Sequence, residues 1–389
     1  MKFVVLGGTG GMGSIAVTDL FDFCKDCEIV IAARDGKKAD EFAKSFKSSR
    51  VKSVSVDVSD INKTAELIKG SDCVINCVVY YFNLDIMKAC LKAGVPYLDL
   101  GGLFHITGKQ LKMHQQFKKK GIIGIVGIGA TPGITNVLAG YGAKFLDKIN
   151  EIHISFGDKD YTKYNQPFVL PYTMYTLFDE YMLKPALFTK GKLKFTNPMS
   201  GEKILNFPKP VGKVKGFYTI HSELRTFPSS FRKKGLKECT FRVTFEEEFT
   251  KQMKFLIDTG FGSDKKILIN GHKIKPRDFT AKVMDQWLPK KETKVNDLEF
   301  LKVEFKGMKK GKNKHISLYS LAKRNKKYNY PAGSYNTGVP PSIAAQMIAK
   351  GQVKETGVLP PESCINPLIF FKELKKRNIK IFKNNTLIN

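Results

Sequence analysis

The chain has 389 residues, of which 42% are hydrophobic, 11% aromatic and 26% charged. This composition excludes a mostly disordered or fibrous protein, and the length exceeds what one compact core usually supports. The 65 lysines and arginines outnumber the 36 acidic residues, which gives a formal net charge of +29 at pH 7.

Short apolar runs alternate with segments of helical spacing through the first third of the chain. The predicted strands are Lys2–Leu6, Glu28–Ala33, Val51–Val56, Asp72–Val79, Pro96–Leu100 and Ile122–Val126. The predicted helices between them are Gly11–Phe23, Ala39–Phe46, Ile61–Lys69, Leu84–Ala93 and Lys109–Lys120. Strands with apolar centres that alternate with helices are typical of a parallel sheet covered on both faces. The pattern therefore predicts a doubly wound, Rossmann-type α/β sheet.

The pattern changes after about residue 130, where polar and apolar residues alternate along the β runs. The predicted strands are Glu151–Phe156, Thr240–Phe245, Lys254–Asp258, Lys266–Ile269 and Leu298–Phe305. Helical spacing returns at Val339–Ala349 and Pro367–Arg377. Alternation along strands indicates a mainly antiparallel sheet, so we predict a second α/β domain.

The positive charge comes mostly from lysines that are spread along the whole chain. No arginine-rich arm, zinc finger or RNP-type motif accompanies them, so we expect a solvated basic surface and no specific nucleic-acid partner. Such a surface still attracts anionic ligands such as nucleotides.

The cysteines and the longest uncharged window point away from zinc and from the membrane. Cys24-x-x-Cys27 has neither a second cysteine pair nor a histidine pair at ligand spacing, so we expect no metal site. Free thiols favour a reducing compartment, and we expect a cytoplasmic protein. Residues 121–143 carry no charge, but glycines, Pro132 and polar residues predict a buried strand, a turn and a helix. We expect no membrane contact.

A glycine-rich motif follows the first predicted strand and opens the first helix. It runs Gly7, Gly8, Thr9, Gly10, Gly11, Met12, Gly13 and fits both GxGxxG and GxxGxxG. One glycine makes the tight turn, the next lets the backbone approach a diphosphate, and the last lets the helix pack on the strand. In this context the motif predicts a dinucleotide held at the helix N-terminus.

The end of the second strand indicates which dinucleotide binds. An NAD site usually places an acidic residue there, whereas this chain has Ala33 followed by Arg34. A small residue and a guanidinium suit a 2′-phosphate, so we predict NADP, with NAD as the alternative because Asp35 follows directly. Asp57, at the end of the third strand, is predicted either to contact the adenine or to cap a helix.

The chain resembles the saccharopine dehydrogenase family, with its lysine dehydrogenase branch, over nearly its whole length. Besides the glycine-rich loop, the resemblance rests on residues 76–83 (NCVVYYFN), 97–102 (YLDLGG), 105–107 (HIT), 129–136 (GATPGITN), 270–278 with its NG and KPRD pieces, and 337–346 with TGVP and AAQ.

The resemblance implies an architecture and a chemistry. It implies an NADP-binding domain at residues 1–130, a substrate-binding and dimerisation domain at 131–334, and a C-terminal segment, 335–389, that returns to the first domain. It also implies that Cys77 and Val78 contact the cofactor, and that the protein forms or oxidises an amine C–N bond of an amino-acid substrate. We expect a homodimer.

Such a reaction needs a general acid or base near the nicotinamide, at the C-terminal edge of the parallel strands. Tyr80 matches an aromatic hydroxyl of the family after the fourth strand, and its alternative role is packing under the nicotinamide. Asp99 is a candidate base or a strand-end cap. His105 has an intrinsic pKa suited to proton transfer or is a loop histidine.

The substrate carries carboxylates, which favour arginine and histidine. Residues 218–227 align with a substrate-domain stretch of the family, and we predict Arg225 as the carboxylate clamp with His221 beside it. The alternative is a surface strand. Tyr81 and Thr131, which follow the fourth and sixth strands, complete the predicted substrate site. Arg277 is either part of this site or a salt-bridged structural residue.

Three functions remain open. The first is an NADP-dependent saccharopine dehydrogenase of the glutamate-forming type. The second is a relative that acts on another amine, as lysine 6-dehydrogenase or carboxynorspermidine dehydrogenase does. The third is a non-catalytic NADP-binding sensor, which would need no substrate clamp. Arg34 departs from the lysine dehydrogenase pattern and Thr131 from the Asp-Pro-Gly of the glutamate-forming enzymes, so the residues alone do not choose.

Overall fold

The computed structural model describes residues 1–166, 168–287 and 293–389. Its first part alternates strands and helices in the predicted order. The elements are β1 (Lys2–Leu6), α1 (Gly11–Phe23), β2 (Glu28–Ala33), α2 (Gly36–Ser45), β3 (Val51–Ser55), α3 (Ile61–Ile68), β4 (Cys73–Asn76), a 3₁₀ turn (Tyr80–Phe82), α4 (Asn83–Ala93), β5 (Tyr97–Asp99), α5 (Leu103–Leu111), α6 (His114–Lys120), β6 (Ile123–Ile125) and α7 (Ile134–Gly142).

The second part is dominated by two long strands, β7 and β15. The elements are a 3₁₀ turn (Ala143–Phe145), β7 (Lys148–Asp160), α8 (Met174–Met182), β8 (Ala186–Thr189), β9 (Lys192–Phe195), β10 (Lys203–Asn206), β11 (Lys213–Tyr218), α9 (Glu223–Ser230), a 3₁₀ turn (Arg232–Lys234), β12 (Glu238–Val243), α10 (Glu247–Asp258), β13 (Ile267–Ile269), β14 (His272–Ile274), α11 (Pro276–Met284), a 3₁₀ turn (Asp285–Trp287), β15 (Asp297–Lys309) and β16 (Lys312–Lys323).

The C-terminal part begins with the longest helix. The elements are α12 (Ala332–Ala349), β17 (Gly357–Leu359), α13 (Pro361–Cys364), α14 (Pro367–Lys376), β18 (Lys380–Lys383) and β19 (Thr386–Leu387).

The strands of the described residues form two large sheets and one small hairpin. The first sheet has the order β17-β6-β5-β4-β1-β2-β3 and is parallel throughout. The second has the order β10-β11-β12-β7-β15-β16-β18-β19, with β8 and β9 beside β12, and only β7 and β12 run parallel in it. A doubly wound parallel sheet joined to a mainly antiparallel one confirms the predicted fold class.

Helix α12 lies between the two sheets. It packs against α1 on one side and against β15 and β16 on the other. Most of its side chains are buried all around the helix, as expected for a helix inside a protein. One continuous apolar core extends from the first sheet through α12 to the second sheet. The carboxyl edge of the parallel strands therefore faces the second sheet across a seam.

A buried ion pair ties the C-terminal segment to the first helix. Arg377 is 2% exposed, and its Nε and one terminal nitrogen donate to the two oxygens of Asp19 on α1 at 2.7 and 2.9 Å. The segment thus contacts the first sheet through α12, β17 and this pair, whereas its last two strands, β18 and β19, extend the second sheet.

Two local predictions were wrong. Lys254–Asp258 belongs to helix α10, not to a strand, because Glu247 and Glu248 occupy a favourable helix start and the apolar residues fall on one helical face. The predicted helix Lys109–Lys120 is two helices, and the first begins at Leu103, which places His105 on α5.

Candidate active site

The loop after β1 has the geometry of a diphosphate cradle. A Cβ on Gly13 would lie 2.2 Å from the carbonyl oxygen of Gly7, which itself has a φ of +72°. Gly10 is the N-cap of α1 and has no side chain to cap the first turn, so N–H groups of that turn stay available. Such groups, at the positive end of a helix dipole, bind phosphate. The residues present therefore fit a dinucleotide.

The other residues predicted to contact the dinucleotide lie beside this loop. Residues 8–13 form the turn and the start of α1. Cys77 follows β4 directly, and its carbonyl oxygen is 3.1 Å from the position that a Cβ on Gly7 would take. Val78 donates its N–H to Asn76 at 2.9 Å, which fixes the chain where it passes the loop. Strand β4 thus closes one side of the cradle.

The end of β2 leaves an arginine free for an anion. Arg34 is exposed and its guanidinium makes no hydrogen bond within the described residues, although its charge contributes to lowering the pKa of the nearby Asp57. Asp35 caps the first turn of α2, which occupies its carboxylate. Asp57 is exposed and accepts from the N–H and hydroxyl of Ser59, and these donors lower the pKa of Asp57. The cap of α3 is Asp60. Arg34 is therefore the residue best placed to meet a 2′-phosphate.

A cavity of about 630 Å³ opens between the carboxyl edge of the first sheet and helices α8 and α11. Four of the predicted site residues line this cavity together: Arg34, Tyr80, Tyr81 and His105. The remaining lining residues are Val79, Phe82, Gly102, Leu103, Ile106, Tyr175, Asp179, Leu183, Asp264, Lys275, Arg277 and Asp278.

Two tyrosines connect the two halves of the molecule inside this cavity. The hydroxyls of Tyr80 and Tyr81 both donate to one oxygen of Asp179 on α8, the second at 3.0 Å. The other oxygen of Asp179 accepts from Arg277 at 2.9 Å, and Arg277 also pairs with Asp264 at 2.8 Å. Burial raises the pKa of Asp179, and the Arg277 guanidinium opposes that shift. The hydrogen bond from the Tyr80 hydroxyl to the Asp179 carboxylate thus gives the tyrosine proton an acceptor.

Asp99 is enclosed at the end of β5. One oxygen accepts the backbone N–H groups of Gly101 and Gly127, at 2.8 and 2.7 Å, and the other accepts from Tyr97 and Gln110. Burial raises the pKa of Asp99, and these donors oppose it. Asn83 also donates to this second oxygen, so five donors occupy both oxygens of Asp99, which is 1% exposed. This placement differs from that expected of a catalytic base. Asp99 instead holds the loops after β5 and β6 together, because the same oxygen accepts from Gly101 and Gly127.

His105 lies on the solvent side of the cavity. It is exposed on α5, and its ring stacks on Phe195 of β9 at 6.3 Å between centroids. It is accessible to a ligand that enters the cavity from outside.

Thr131 and His221 meet through a carboxylate that the sequence did not single out as a site residue. Glu223, at the start of α9, accepts from Thr131 and Thr135 at 2.6 and 2.8 Å and pairs with His221. Burial opposes the charge of Glu223, but His221 and the two hydroxyls outweigh it and lower its pKa. His221 also stacks on Phe241 at 3.7 Å. A buried histidine–glutamate pair therefore reaches the turn after β6.

A second buried carboxylate lies beside this pair. Glu180 on α8 is 4% exposed and accepts from the hydroxyl of Tyr172. Burial raises the pKa of Glu180 to about 7, and His221 opposes the shift. A carboxyl group that titrates near neutral pH is suited to accept or donate a proton during catalysis.

Arg225 lies apart from the cavity. It is on α9, with its guanidinium 5.5 Å from the ring of Phe104 and its Nε 2.9 Å from the Cβ position of Gly108 on α5. The segment 218–227 is therefore a strand end and a helix, and the surface-strand alternative was wrong. Arg277 forms salt bridges with Asp179 and Asp264, as expected if it is a structural residue.

The sequence did not single out the acidic residues of the second domain. Asp179 and Glu180 occupy a short helix with no motif, and nothing local relates them to residues after β4 or β6. The one local feature that could have pointed to them is the pair of adjacent acidic residues in an otherwise apolar helix, whose sequence is MYTLFDEYM.

Two findings concern metals and membranes. Within residues 1–166, 168–287 and 293–389, no group of three or more histidine, cysteine or acidic side chains is arranged to hold a metal ion. No helix in the same ranges combines the length and the apolar character that crossing a bilayer requires.

Two family models match the chain. The saccharopine dehydrogenase NADP binding domain matches residues 3–125, and the saccharopine dehydrogenase C-terminal domain matches residues 129–379. These matches confirm the resemblance drawn from the sequence and the prediction of NADP or NAD as cofactor.

Similar proteins of named activity align along most of the chain. A carboxyaminopropylagmatine dehydrogenase of Synechocystis sp. is 26% identical over 371 residues, which cover 92% of each protein. A carboxynorspermidine synthase of Vibrio cholerae is 26% identical over 378 residues, covering 89% of this chain and 88% of that protein. The solved saccharopine dehydrogenase (L-Glu forming) of Saccharomyces cerevisiae superposes over both whole chains, with a TM-score of 0.75 at 16% identity, which shows a shared fold. The chain is accordingly an NAD(P)-dependent oxidoreductase.

Proposed function

Because this chain belongs to the saccharopine dehydrogenase family, we propose that it is an NADP-dependent oxidoreductase that acts on the C–N bond of a carboxylated polyamine. Two relatives that align over nearly the whole chain have names that contain compounds of this type, carboxyaminopropylagmatine and carboxynorspermidine. This is the alternative expected from the sequence, and it has better support than the glutamate-forming saccharopine reaction.

The observation that carries the proposal is the charge along the seam between the two sheets. Glu180 and Glu223 are buried there on either side of an interaction with His221, and the described residues pair neither of them with a lysine or an arginine. Saccharopine is rich in carboxylates, and buried carboxylates repel such a substrate. A polyamine is rich in cations, and the same groups attract it.

The glycine-rich loop would hold the diphosphate of NADP, and Arg34 would hold its 2′-phosphate. Bound there, the nicotinamide supplies the site that accepts or donates a hydride at the aminated carbon. Cys77 and Val78 would form the floor of the groove. These assignments rest on the cradle geometry and on the free guanidinium of Arg34.

The side chains of the seam would handle protons. An amine must be neutral when a hydride leaves its carbon, so a base has to take a proton from it. We assign this role to Glu180, whose pKa of about 7 suits it, with His221 as the neighbouring group that receives or stabilises charge. Tyr80, bonded to Asp179, is the second candidate.

The division of the chain follows from this assignment. We propose that residues 1–130 bind NADP and that residues 131–334 bind the amine. The segment from residue 335 would connect the two through α12. A homodimer and a cytoplasmic location remain predictions.

The test is a substrate panel. Carboxynorspermidine, saccharopine and lysine are each offered with NADP, and NADPH formation is followed by absorbance. The proposal expects the highest kcat/KM with carboxynorspermidine. A clear preference for saccharopine would return the assignment to the glutamate-forming reaction, and a preference for lysine would return it to the lysine dehydrogenase reaction.

A further inference from the structure

Two carboxylates stand directly opposite each other on the central strands of the second sheet. Asp158 on β7 and Glu299 on β15 are partners in the antiparallel register. Side chains so paired lie on one face, with Cβ atoms about 5 Å apart, and like charges in this position destabilise the sheet. We call these two residues the carboxylate pair. Asp158 is exposed and Glu299 partly accessible, so solvent reaches the pair.

The carboxylate pair differs from the acids next to it. Asp160 accepts from the hydroxyl of Tyr164 at 2.7 Å and from a backbone N–H of its own loop. Asp297 accepts the N–H of Ala332 with both oxygens, which fixes the start of α12. Those two carboxylates have structural partners. The carboxylate pair has no ion-pair partner among the described residues.

A buried amide adds a third acceptor at the same place. Asn336 on α12 is fully buried, and its Nδ2 donates to Glu299 at 2.7 Å. Its Oδ1 is buried and accepts no hydrogen bond. An unsatisfied buried acceptor is costly, and here it adjoins a carboxylate. A positively charged donor between Asp158 and Glu299 would supply the ion-pair partner that both carboxylates lack among the described residues.

The site adjoins the predicted position of the cofactor. Thr337 follows Asn336, and its methyl group is 3.2 Å from the Cβ position of Gly129 in the turn after β6. Gly338 comes next, and a Cβ there would lie 2.8 Å from the carbonyl oxygen of Met12 in the glycine-rich loop. One turn of α12 therefore touches the loop, the turn and the carboxylate pair.

We propose that the carboxylate pair and Asn336 bind the distal cationic end of the amine substrate, a primary ammonium or a guanidinium. The proposal rests on the proposed function, because it assigns one end of the same substrate. The protein carries a net charge of +29, which repels polycations in general. Saturable binding of a polyamine therefore requires a local negative site of this kind.

The direction of the pKa shift of Glu299 is the one expected for a carboxyl group that has no cation beside it. Burial raises the pKa of Glu299 to about 8, and the negative charges of Asp158 and Asp297 add to the shift, while Asn336 opposes it. A bound cation would reverse this shift, so binding at pH 7 should release protons.

The test measures binding of norspermidine to the full chain by calorimetry, with NADP present. We expect saturable binding to the wild type and a loss of at least about tenfold in affinity for Glu299→Gln and for Asp158→Asn. Asp160→Asn is the matched control, because Asp160 lies two residues from Asp158 on the same strand and its carboxylate is bonded to its own loop. It should change affinity less than about threefold. Unchanged NADP binding shows that each variant is folded.

Several outcomes overturn the proposal. They are an absence of norspermidine binding to the wild type, unchanged affinity in both pair variants, or an equal loss in the Asp160→Asn control. Turnover of carboxynorspermidine separates this proposal from the proposed function. If the wild type oxidises carboxynorspermidine and Glu299→Gln leaves KM unchanged, the site assignment fails and the function stands. If norspermidine binds as expected and carboxynorspermidine is not oxidised, the function fails.

Discussion

Three glycines of the loop after β1 allow the cofactor cradle to be tested position by position. An alanine Cβ at Gly13 would lie 2.2 Å from the Gly7 carbonyl oxygen and 2.9 Å from its carbon, which are backbone atoms that cannot rotate away. At Gly11 the Cβ would have no atom within 4 Å. At Gly10 it would meet only the Gly7 oxygen, at 3.2 Å, and would face the diphosphate instead.

The size of the effect follows from these distances. To bring the Cβ of Gly13→Ala to an ordinary contact, α1 and the loop must separate by about 1 Å, whereas N–H···O bonds tolerate only about 0.5 Å. One or two charge-assisted bonds to the diphosphate would be lost, at about 1.5–3 kcal/mol each. The total of about 1.5–6 kcal/mol predicts that Gly13→Ala weakens NADP binding about 10- to 20,000-fold, since each 1.4 kcal/mol is about tenfold.

The assay is titration of NADP by calorimetry, with the unfolding temperature recorded for each variant. Gly11→Ala should bind NADP within about threefold of the wild type and be slightly more stable, because alanine favours a helix. Gly10→Ala should lose affinity with little change in stability, whereas Gly13→Ala should lose both. Wild-type affinity in Gly13→Ala, or an equal loss in Gly11→Ala, would refute the cradle geometry.

Three further variants test the cofactor choice, the base and the C-terminal tie. Arg34→Ser should lower the preference for NADP over NAD about 10- to 100-fold, because a charge-assisted contact to the 2′-phosphate is lost; unchanged preference in paired titrations would exclude the clamp. Glu180→Gln should remove the acidic limb near pH 7 from the pH profile of kcat, since that carboxyl must be ionised to act as a base; a retained limb would assign the base elsewhere. Arg377→Met should reduce the free energy of unfolding by about 3–5 kcal/mol in a urea titration, because Asp19 stays buried without its partner. Adding Asp19→Asn should recover part of that loss, and no recovery would show that the pair acts otherwise.

The sequence predicts the first sheet well because its signals are local. Most strands of that sheet have an apolar run, and the glycines from Gly7 to Gly13 follow the first of them directly. The short edge strand β17, which comes from the C-terminal segment, was not predicted. Arg34 is equally local, since it ends the second strand. Five of the six predicted strands lie within about one residue of their observed position at each end, whereas β4 ends at Asn76, about three residues earlier than expected.

The seam between the sheets depends on contacts that no local pattern reports. Glu180 on α8 and Glu223 on α9 are 43 positions apart, and both meet His221 only in the folded chain. Glu299 meets Asn336 because α12 crosses between the sheets. Asp99 has the residue type of a base at a strand end, but its role is decided by five donors from its own strand, two helices and two loops. Burial and hydrogen bonding decide such roles, and the sequence does not state them.

The direct test of the central claim follows the hydride itself. Carboxynorspermidine labelled with deuterium at both carbons attached to its secondary nitrogen is incubated with the protein and NADP, and the NADPH formed is examined by mass spectrometry. The account predicts that NADPH gains one deuterium and that one labelled carbon becomes a carbonyl. NADPH without deuterium, or no NADPH at all, would contradict it.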